Sequence, residues 1–289
     1  MTDFLTITYE LQGRVARLTL NRPEMRNAQS IRMLDEIDAA LDIAEQDPEV
    51  RVVVLAASGS SFSAGHDMKA TRAGGDTPDD YEQPFAAKRS VTETLFEHEY
   101  DKYVGKCLRL RDFPKPTIAL TQGHCIAAGW MVASMCDLVI ASDDAKFADP
   151  VVRMACVGVE LPVEFWDVGV RKAKELLFTG DALSAADAHR LGFVNHVVAR
   201  EELENFGLAM ATKIAAMPPV AVRLAKLSMN RCLDQQGQAN SFWQHYATHQ
   251  LAHQTEEFKT LRSTLGTKDG VKLGLKEFLR DRDKISSNG

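Results

Sequence analysis

The most informative part of this chain is a pair of short stretches rich in small residues: SSFSAGHDMK at residues 60–69 and QGHCIAAGWM at residues 122–131. Each follows an apolar run typical of a buried strand, Val52 to Ala57 before the first and Thr117 to Leu120 before the second. Small residues let a ligand approach the main chain closely and leave amide N–H groups available as donors. Taken alone, the first stretch is more often an ordinary strand-to-helix turn.

The second stretch is predicted to open a helix that ends near Cys136 and Asp137. Free N–H groups at a helix N-terminus carry roughly half a positive charge and stabilise an anion there. The run Ala127-Ala128-Gly129 leaves these groups uncovered. Close packing of the helix against a sheet also requires small residues, and the two interpretations are compatible.

Strands and helices alternate through the first two thirds of the chain. Residues 5–20 alternate apolar and polar positions on both sides of Gly13, which predicts a hairpin, and apolar residues at helical spacing predict a helix from Ile31 to the stop at Asp47-Pro48. Leu138 to Ala141 predicts another buried strand. Further helices are predicted at 129–136, 171–178 and 184–191. The fold class is therefore predicted to be α/β.

Strand signals disappear from about residue 200 onward. Helical spacing runs through 201–216, 218–233, 239–262 and 269–280. We therefore divide the chain into a core, residues 1–199, and a helical region, residues 200–289. Within the core, residues 71–104 contain Gly74-Gly75, two prolines and many charges, which predicts a mobile surface insertion with a helix at 86–104 and a place for a lid over a substrate.

Composition excludes several classes of protein. Lys and Arg total 34 against 40 Asp and Glu, a formal charge of −6, which argues against a nucleic-acid or membrane-surface binder. The N-terminus lacks a secretory signal, and no apolar run approaches the ~20 residues needed to span a bilayer, so the cytoplasm is the expected location. The five cysteines include no CxxC pair, which argues against a disulfide framework or a thiolate zinc site.

Three histidines, His245, His249 and His253, fall at i, i+4 and i+8 of a predicted helix. They span ~12 Å along the helix axis, too far for a single tetrahedral zinc ion with bonds of ~2 Å. We therefore predict no metal site from this triplet and expect a polar surface or a subunit interface.

In this order, and with these strands before them, the two small-residue stretches resemble the two signature regions of the crotonase (enoyl-CoA hydratase/isomerase) superfamily. The resemblance covers nearly the whole chain. It implies a spiral of ββα turns followed by a helical trimerisation region, assembled as a homotrimer or hexamer. The other stretches that carry it are LNRPE at 20–24 with RNA at 26–28, FADP at 147–150, FTGD at 178–181, SAADA at 184–188 and LGFV at 191–194.

The resemblance implies an acyl-CoA thioester as substrate, with its carbonyl oxygen held by the main-chain N–H groups of His66 and Ala128. Two such donors stabilise a developing enolate oxyanion by a few kcal/mol each. No separate cofactor is expected, because coenzyme A enters as part of the substrate. For Arg26 and Lys69, phosphate contact and an ordinary solvated charge are both open. The positions carried over for coenzyme A binding are Met25, Arg26, Ala28, Ala64, Asp67, Met68 and Lys69.

This chain departs from the family pattern at both positions of the usual catalytic glutamates, where it has Met131 and Val151. Neither side chain holds or transfers a proton. Hydration of a double bond needs a base and an acid, and such groups typically contribute ~10²–10⁴-fold. Ordinary hydratase activity is therefore not expected.

A replacement acid or base is predicted at Glu160, where apolar neighbours would raise the pKa of the carboxyl group. Asp149 and Glu164 are weaker alternatives, a surface capping role for Glu160 is open, and the His66 imidazole is a further candidate. Two functions follow. The first is an enoyl-CoA hydratase/isomerase homologue that acts on acyl-CoA thioesters through an enolate held in the backbone oxyanion hole, with isomerisation or thioester hydrolysis by Glu160 as an alternative reaction. The second is a non-catalytic acyl-CoA-binding or regulatory homologue.

Overall fold

The computed structural model of the chain describes residues 4–67 and 91–265. Within these ranges a π-helical turn, Tyr100–Gly105, joins the second and third α-helices. The strands are β1 Ile7–Gln12, β2 Val15–Leu20, β3 Val52–Ala57, β4 Thr117–Thr121, β5 His124–Ile126, β6 Leu138–Ser142, β7 Lys146–Ala148, β8 Leu183–Ser184 and β9 His196–Val198. The α-helices are α1 Ile31–Gln46, α2 Val91–Glu99, α3 Lys106–Arg111, α4 Ala128–Ser134, α5 Val163–Val168, α6 Val170–Thr179, α7 Ala185–Leu191, α8 Leu203–Ala215, α9 Pro219–Gln235, α10 Gln238–Ala252 and α11 Glu256–Leu265.

The strands form two sheets. Six strands lie in the order β1-β2-β3-β4-β6-β9, and all neighbours are parallel except the β1–β2 hairpin. A second sheet has the order β5-β7-β8, with β5 parallel to β7. The predicted α/β class is confirmed, and so are the opening hairpin and the buried strands at β3, β4 and β6.

Side chains of β3 point alternately into two apolar layers, as expected of a strand covered on both faces. Val53 and Leu55 belong to the layer that includes the apolar face of α1. Val52 and Val54 belong to the layer that includes Leu203 of α8. The large sheet is thus packed between α1 and its neighbours on one face and α8 on the other.

Helix α1 has the start and stop signals that the sequence predicts. The Ser30 hydroxyl accepts a hydrogen bond from the Met33 amide, at 3.2 Å, and caps the first turn. Asp47 is extended, with φ −79° and ψ 111°, because a residue before proline disfavours the helical conformation. The predicted helix is confirmed.

Helix α8 covers the sheet although it follows the last strand. A Cβ at Gly207 would lie 2.5 Å from Leu120 Cδ2, so the helix approaches β4 as closely as glycine allows. Among the described residues, every element of secondary structure after β9 is a helix. The predicted boundary between residues 199 and 200 stays a prediction.

The pair α8–α9 is sharply bent. No single described helix is long and apolar enough to cross a bilayer. Of the described helices, only the pair Arg200–Ala215 and Pro219–Gln235 reaches the required length and composition when taken together, and it is bent by 106°. Helix α9 buries none of its residues within the chain. Within the described part of the chain its apolar side chains therefore remain exposed, as at Val220 and Leu224.

Two predicted helical segments differ from the structure. The run at 239–262 is two helices, α10 and α11, because Thr255 Oγ1 accepts from the Phe258 amide at 3.2 Å and starts a new helix. Of the predicted insertion at 71–104, the described part is α2 and most of the π-helical turn, and it buries Glu99, Tyr103 and Val104. These three residues are buried, whereas Phe96 of α2 is 41% exposed, and the predicted insertion and lid stay predictions. Residues 71–90 and the predicted helix at 269–280 lie outside the described residues.

Candidate active site

The two small-residue stretches lie side by side. The Phe62 amide donates to Gln122 O at 2.8 Å, and the Ser63 amide donates to His124 O at 3.1 Å. In return, the Ile126 amide donates to Ser63 O at 2.9 Å. This ladder brings the chain around His66 next to the start of α4.

Gly65 is required by both its conformation and its surroundings. Its φ is +89°, and a Cβ there would lie 3.0 Å from Ile126 O and 3.4 Å from the Ala128 nitrogen. At Gly129 a Cβ would lie 2.8 Å from Ser63 O. The small residues therefore serve close packing of the two stretches, and the same packing brings their main chains together.

The N–H groups of His66 and Ala128 stand on neighbouring segments. Among residues 4–67 and 91–265, neither amide has a hydrogen-bond acceptor. Ala128 begins α4, whose first amides have no partner within the helix. The preceding residue, Ala127, has φ +51° and ψ −118°, a conformation that non-glycine residues rarely adopt. Strained backbone of this kind is frequent at functional sites.

Gln29 ties these two segments together. Its amide donates to Gly65 O at 2.8 Å, and its carbonyl accepts from the Asp67 amide at 2.9 Å. Its side-chain Nε2 donates to Ala128 O at 3.2 Å. The main chain of Gln29 therefore holds the His66 segment and its side chain holds the start of α4, although the sequence did not single out this residue.

Glu160 lies against the His66 ring. The two residues are 94 apart in the sequence, yet His66 Nε2 and Glu160 Oε2 are separated by 3.1 Å. The ring of His66 also stacks on Tyr103, with 3.7 Å between centroids. Both partners of His66 come from other elements, Glu160 from the segment before α5 and Tyr103 from the π-helical turn.

The pKa of Glu160 differs from the prediction. Burial opposes ionisation, but the adjacent His66 and His249 outweigh it and lower the pKa to about 2. The predicted increase of the pKa is therefore wrong, because the neighbours of this carboxyl group are imidazoles as well as apolar side chains. Glu160 is 4% exposed, which also excludes a surface capping role. The group is a buried carboxylate.

Helix α10 holds the segment that carries Glu160. His245 Nε2 lies 2.8 Å from Val159 O, and His249 Nδ1 lies 3.0 Å from Gly158 O. His249 and His253 are buried, so the expected surface position of these histidines is wrong. Burial lowers the pKa of His245. At His249 burial acts in the same direction, but the carboxylates of Glu99 and Glu160 raise the pKa overall.

Asp149 and Glu164 pair with each other. Asp149 accepts from the amides of Val151, at 3.1 Å, and Val159, at 2.8 Å. Burial and the neighbouring Asp149 raise the pKa of Glu164 well above its usual value, so Glu164 carries the proton of the pair. The two residues fasten the segment between β7 and α5, although Glu164 Oε1 has no hydrogen-bond partner among the described residues.

The positions that the resemblance assigns to coenzyme A lie in residues 25–28 and in the first small-residue stretch. The Ala64 amide donates to Arg26 O at 3.0 Å, which places residues 25–28 beside the first stretch. Arg26 and Ala64 are exposed, whereas Met25 and Ala28 are half-buried. Asp67 is buried and its Oδ2 accepts from Arg22 Nη1 at 2.9 Å, so its carboxylate braces the site. Met68 and Lys69 lie outside the described residues.

Met131 and Val151 are both buried, at 0% and 8% exposure, and add no titratable group to the site. The sequence missed Tyr103 and Glu99, because they lie in the segment interpreted as a surface insertion. The histidines of α10 do not indicate Glu99 in the sequence, because a buried imidazole is also satisfied by a carbonyl oxygen, as His245 is by Val159 O.

Comparisons with known proteins point to the same family over most of the chain. A family model described as enoyl-CoA hydratase/isomerase matches residues 10–282. The putative enoyl-CoA hydratase EchA13 of Mycobacterium tuberculosis is 40% identical over 260 residues, 87% of this chain and 81% of that protein. A solved structure of a probable enoyl-CoA hydratase from Mycobacterium smegmatis is 42% identical, with a TM-score of 0.80, covering 91% of this chain and 97% of that one. An enoyl-CoA hydratase/isomerase from Xanthobacter autotrophicus Py2 is 30% identical, with a TM-score of 0.82, covering 98% and 99%.

Proposed function

Because the chain belongs to the enoyl-CoA hydratase/isomerase family, we propose that it acts on an acyl-CoA thioester whose carbonyl oxygen accepts hydrogen bonds from the His66 and Ala128 amides. The observation that carries this proposal is the pair of N–H groups for which the described residues offer no acceptor, on two segments held together by Gly65 and Gln29. Preorganised donors of this kind stabilise the charge that develops on a thioester oxygen when an enolate forms.

Glu160 is the base in this proposal. A proton leaves the α-carbon of the acyl group for the Glu160 carboxylate, and the electron pair moves to the thioester oxygen between the two amides. The contact with His66 holds the Glu160 carboxylate beside the residue whose amide is a proposed oxyanion donor, and the lowered pKa keeps this carboxylate ionised and able to accept a proton. Return of the proton to a different carbon gives isomerisation, and activation of water by the same carboxylate gives thioester hydrolysis.

Ordinary hydration is not part of the proposal. Met131 and Val151 occupy the positions where the resemblance places the two catalytic glutamates. Asp149 and Glu164 engage each other and the backbone around β7 and α5. Among the described residues this leaves the paired Glu160 and His66 in place of the two glutamates that the resemblance assigns to hydration.

A second function follows from the same two positions. The buried, apolar Met131 and Val151 favour a homologue that binds acyl-CoA without chemistry. In both functions coenzyme A arrives as part of the ligand. Its binding surface is proposed to be the exposed edge formed by Ala64 and Arg26, with Met25, Ala28, Asp67, Met68 and Lys69 from the same segments.

A homotrimer, or a hexamer built from trimers, is proposed as the assembly. Support comes from α9, which exposes Val220, Leu224 and Leu227 at spacings of four and three residues, at 68%, 56% and 41%. An apolar stripe of this kind marks a contact with another surface.

The test is to incubate the purified protein with crotonyl-CoA and with a longer enoyl-CoA and to follow the conjugated thioester absorbance. The M131E/V151E double variant is measured alongside. We expect the wild type to hydrate neither substrate and the double variant to gain hydration. Rapid hydration by the wild type would contradict the proposal that the Met131 and Val151 positions exclude it.

Isothermal titration with butyryl-CoA separates the two functions. Binding together with turnover of β,γ-enoyl-CoA or hydrolysis of the thioester supports the enzyme. Binding with neither reaction supports the non-catalytic homologue. Failure to bind any acyl-CoA would reject both.

A further inference from the structure

A second cluster of titratable groups lies behind Glu160. It consists of Glu99, from the end of α2, with His249 and His253, from the end of α10. All three are buried, with exposures of 8%, 3% and 8%. One nitrogen or oxygen atom from each residue lies within 4.8 Å of the others. This cluster is a different set from the three histidines of the sequence, since His245 contacts Val159 O instead.

The hydrogen bond on one side of His249 determines what its other nitrogen does. Nδ1 lies 3.0 Å from Gly158 O, and because a carbonyl oxygen only accepts, Nδ1 carries the hydrogen. Nε2 therefore faces Glu99 Oε2 at 3.6 Å and Glu160 Oε1 at 4.0 Å. A bare nitrogen lone pair directed at two carboxylates in a buried place is repulsive, so the arrangement requires a positive charge between these atoms.

Distances favour a metal ion over a proton as that charge. A proton shared between an imidazole and a carboxylate draws the nitrogen and oxygen to about 2.7–2.9 Å. The separations from Glu99 Oε2 are 3.6 Å to His249 Nε2 and 3.8 Å to His253 Nδ1. Ligands on a tetrahedral ion with bonds of about 2.0–2.1 Å lie about 3.3–3.5 Å apart, so both separations from Glu99 Oε2 need a contraction of only a few tenths of an ångström. The two imidazole nitrogens lie within 4.8 Å of each other, and rotation of the His253 ring would bring them to the same spacing.

The groups behind the ligands also match a metal site. Histidine ligands of metals donate their other ring N–H to a carbonyl or carboxylate, as His249 does to Gly158 O. Ligating carboxylates are held by further hydrogen bonds, and Gln250 Nε2 donates to Glu99 Oε2 at 2.6 Å. Both contacts hold the ligand atoms towards one point.

We infer that Glu99 Oε2, His249 Nε2 and His253 Nδ1 bind one divalent ion of the zinc class, with the remaining coordination position on the side of Glu160. Two imidazoles and one carboxylate are a donor set that Zn²⁺ takes in proteins, with one position left open. An ion of charge +2 also balances the two buried carboxylates, Glu99 and Glu160. The inference stands without the proposed reaction, because its argument uses no substrate.

The experiment uses the full chain, stripped with a chelator and dialysed. Zn²⁺ is titrated calorimetrically, and Co²⁺ is added in parallel to record its visible absorption, which reports tetrahedral coordination. The variants are Glu99→Gln, which keeps the shape of the side chain, and His253→Ala. His245→Ala is the matched control, because it removes an imidazole from the same helix outside the ligand set. A thermal melt verifies the fold of each protein.

We expect one Zn²⁺ per chain, a tetrahedral Co²⁺ spectrum, and an affinity that falls by at least about 100-fold in Glu99→Gln and His253→Ala. His245→Ala should bind as the wild type does. A wild type that takes up no Zn²⁺ would overturn the inference and leave a proton as the buried charge. Zn²⁺ binding that survives unchanged in both Glu99→Gln and His253→Ala would overturn it as well, since the ion would then sit on exposed histidines.

Discussion

At the scale of single residues, the site depends on glycines at which a Cβ atom would be too close to neighbouring main-chain atoms. Gly65 has a positive φ and faces Ile126 O and the Ala128 nitrogen, whereas Gly192 has a positive φ of +96° and no atom near its missing Cβ. The two glycines therefore share the conformational requirement and differ in surroundings. Gln29 is buried between the segment around Gly65 and the start of α4. Its main chain contacts Gly65 and its side chain contacts Ala128 O.

Replacing Gly65 and Gly192 separately by alanine distinguishes these requirements. Both variants should lose about 1–2 kcal/mol of unfolding free energy, because alanine resists a positive φ. Only Gly65→Ala should also lose about 10²-fold in kcat on an acyl-CoA substrate, since its Cβ displaces an oxyanion donor. Chemical denaturation and steady-state kinetics measure both quantities. Equal kcat values in the two variants would show that the gap beside Gly65 has no part in catalysis.

The sequence predicted His66, Ala128 and Glu160 as site residues, but not their mutual arrangement. Motifs and family resemblance identify residues that lie close to a known pattern in the chain. The contact between His66 and Glu160 joins residues 94 positions apart, and neither residue alone indicates it. The pKa of Glu160 was misjudged for this reason, because its sequence neighbours are apolar while its spatial neighbours are imidazoles.

At the scale of elements, helices were predicted well where their ends carry signals. Ser30 and Asp47-Pro48 bound α1 as expected, whereas the start of α11 at Thr255 was missed in a long stretch of helical spacing. The π-helical turn at Tyr100–Gly105 has no sequence signature, yet it presents Tyr103 to His66. The order of the strands in the sheet was not predicted, because apolar runs identify buried strands without showing which strands pair with each other.

Asp167 links α5 to α4 and makes this contact dependent on pH. Its Oδ2 accepts from Trp130 Nε1, at 2.7 Å, and from the Ser134 hydroxyl. Burial raises the pKa of Asp167 to about 7, more than the two hydrogen bonds lower it. In the unfolded chain the carboxyl group titrates near 3.9. The folded state therefore keeps a proton that the unfolded state loses, and stability from this group falls as the pH rises towards and through 7.

We expect the wild type to lose about 2 kcal/mol more unfolding free energy than Asp167→Asn between pH 5 and pH 8. Urea denaturation of both proteins at the two pH values measures the difference, in which contributions from other titrating groups cancel. Identical pH dependence in the two proteins would mean that Asp167 is already ionised at pH 5 in the folded state.

At the scale of the whole molecule, helix α9 has no covering layer among residues 4–67 and 91–265. The sheet is packed on both faces within the chain, by α1 and by α8, while α9 buries no residue. The apolar stripe of Val220, Leu224 and Leu227 is the surface that the proposed trimer would cover. The site around His66 and Glu160 is built from α2, the π-helical turn and α10 of the same chain, so its polar contacts do not require the assembly.

Leu224→Asp should therefore dissociate the trimer into monomers, because burying a carboxylate in an apolar contact is unfavourable. Sedimentation velocity at micromolar concentration measures the mass. Met217→Asp is a suitable control, since this residue is 47% exposed but precedes α9. A wild type that sediments as a monomer would reject the trimer, and an unchanged mass in Leu224→Asp would place the interface elsewhere.

Enolate formation by Glu160 against the two backbone donors is the central step of the proposed reaction, and hydrogen exchange tests it most directly. Wild-type protein and Glu160→Gln are incubated with butyryl-CoA in D₂O, and mass spectrometry follows deuterium at the α-carbon. We predict exchange by the wild type and a loss of at least about 10²-fold in Glu160→Gln, with butyryl-CoA binding retained in both. A wild type that binds butyryl-CoA without exchange, or a Glu160→Gln variant that exchanges at the wild-type rate, would contradict the account.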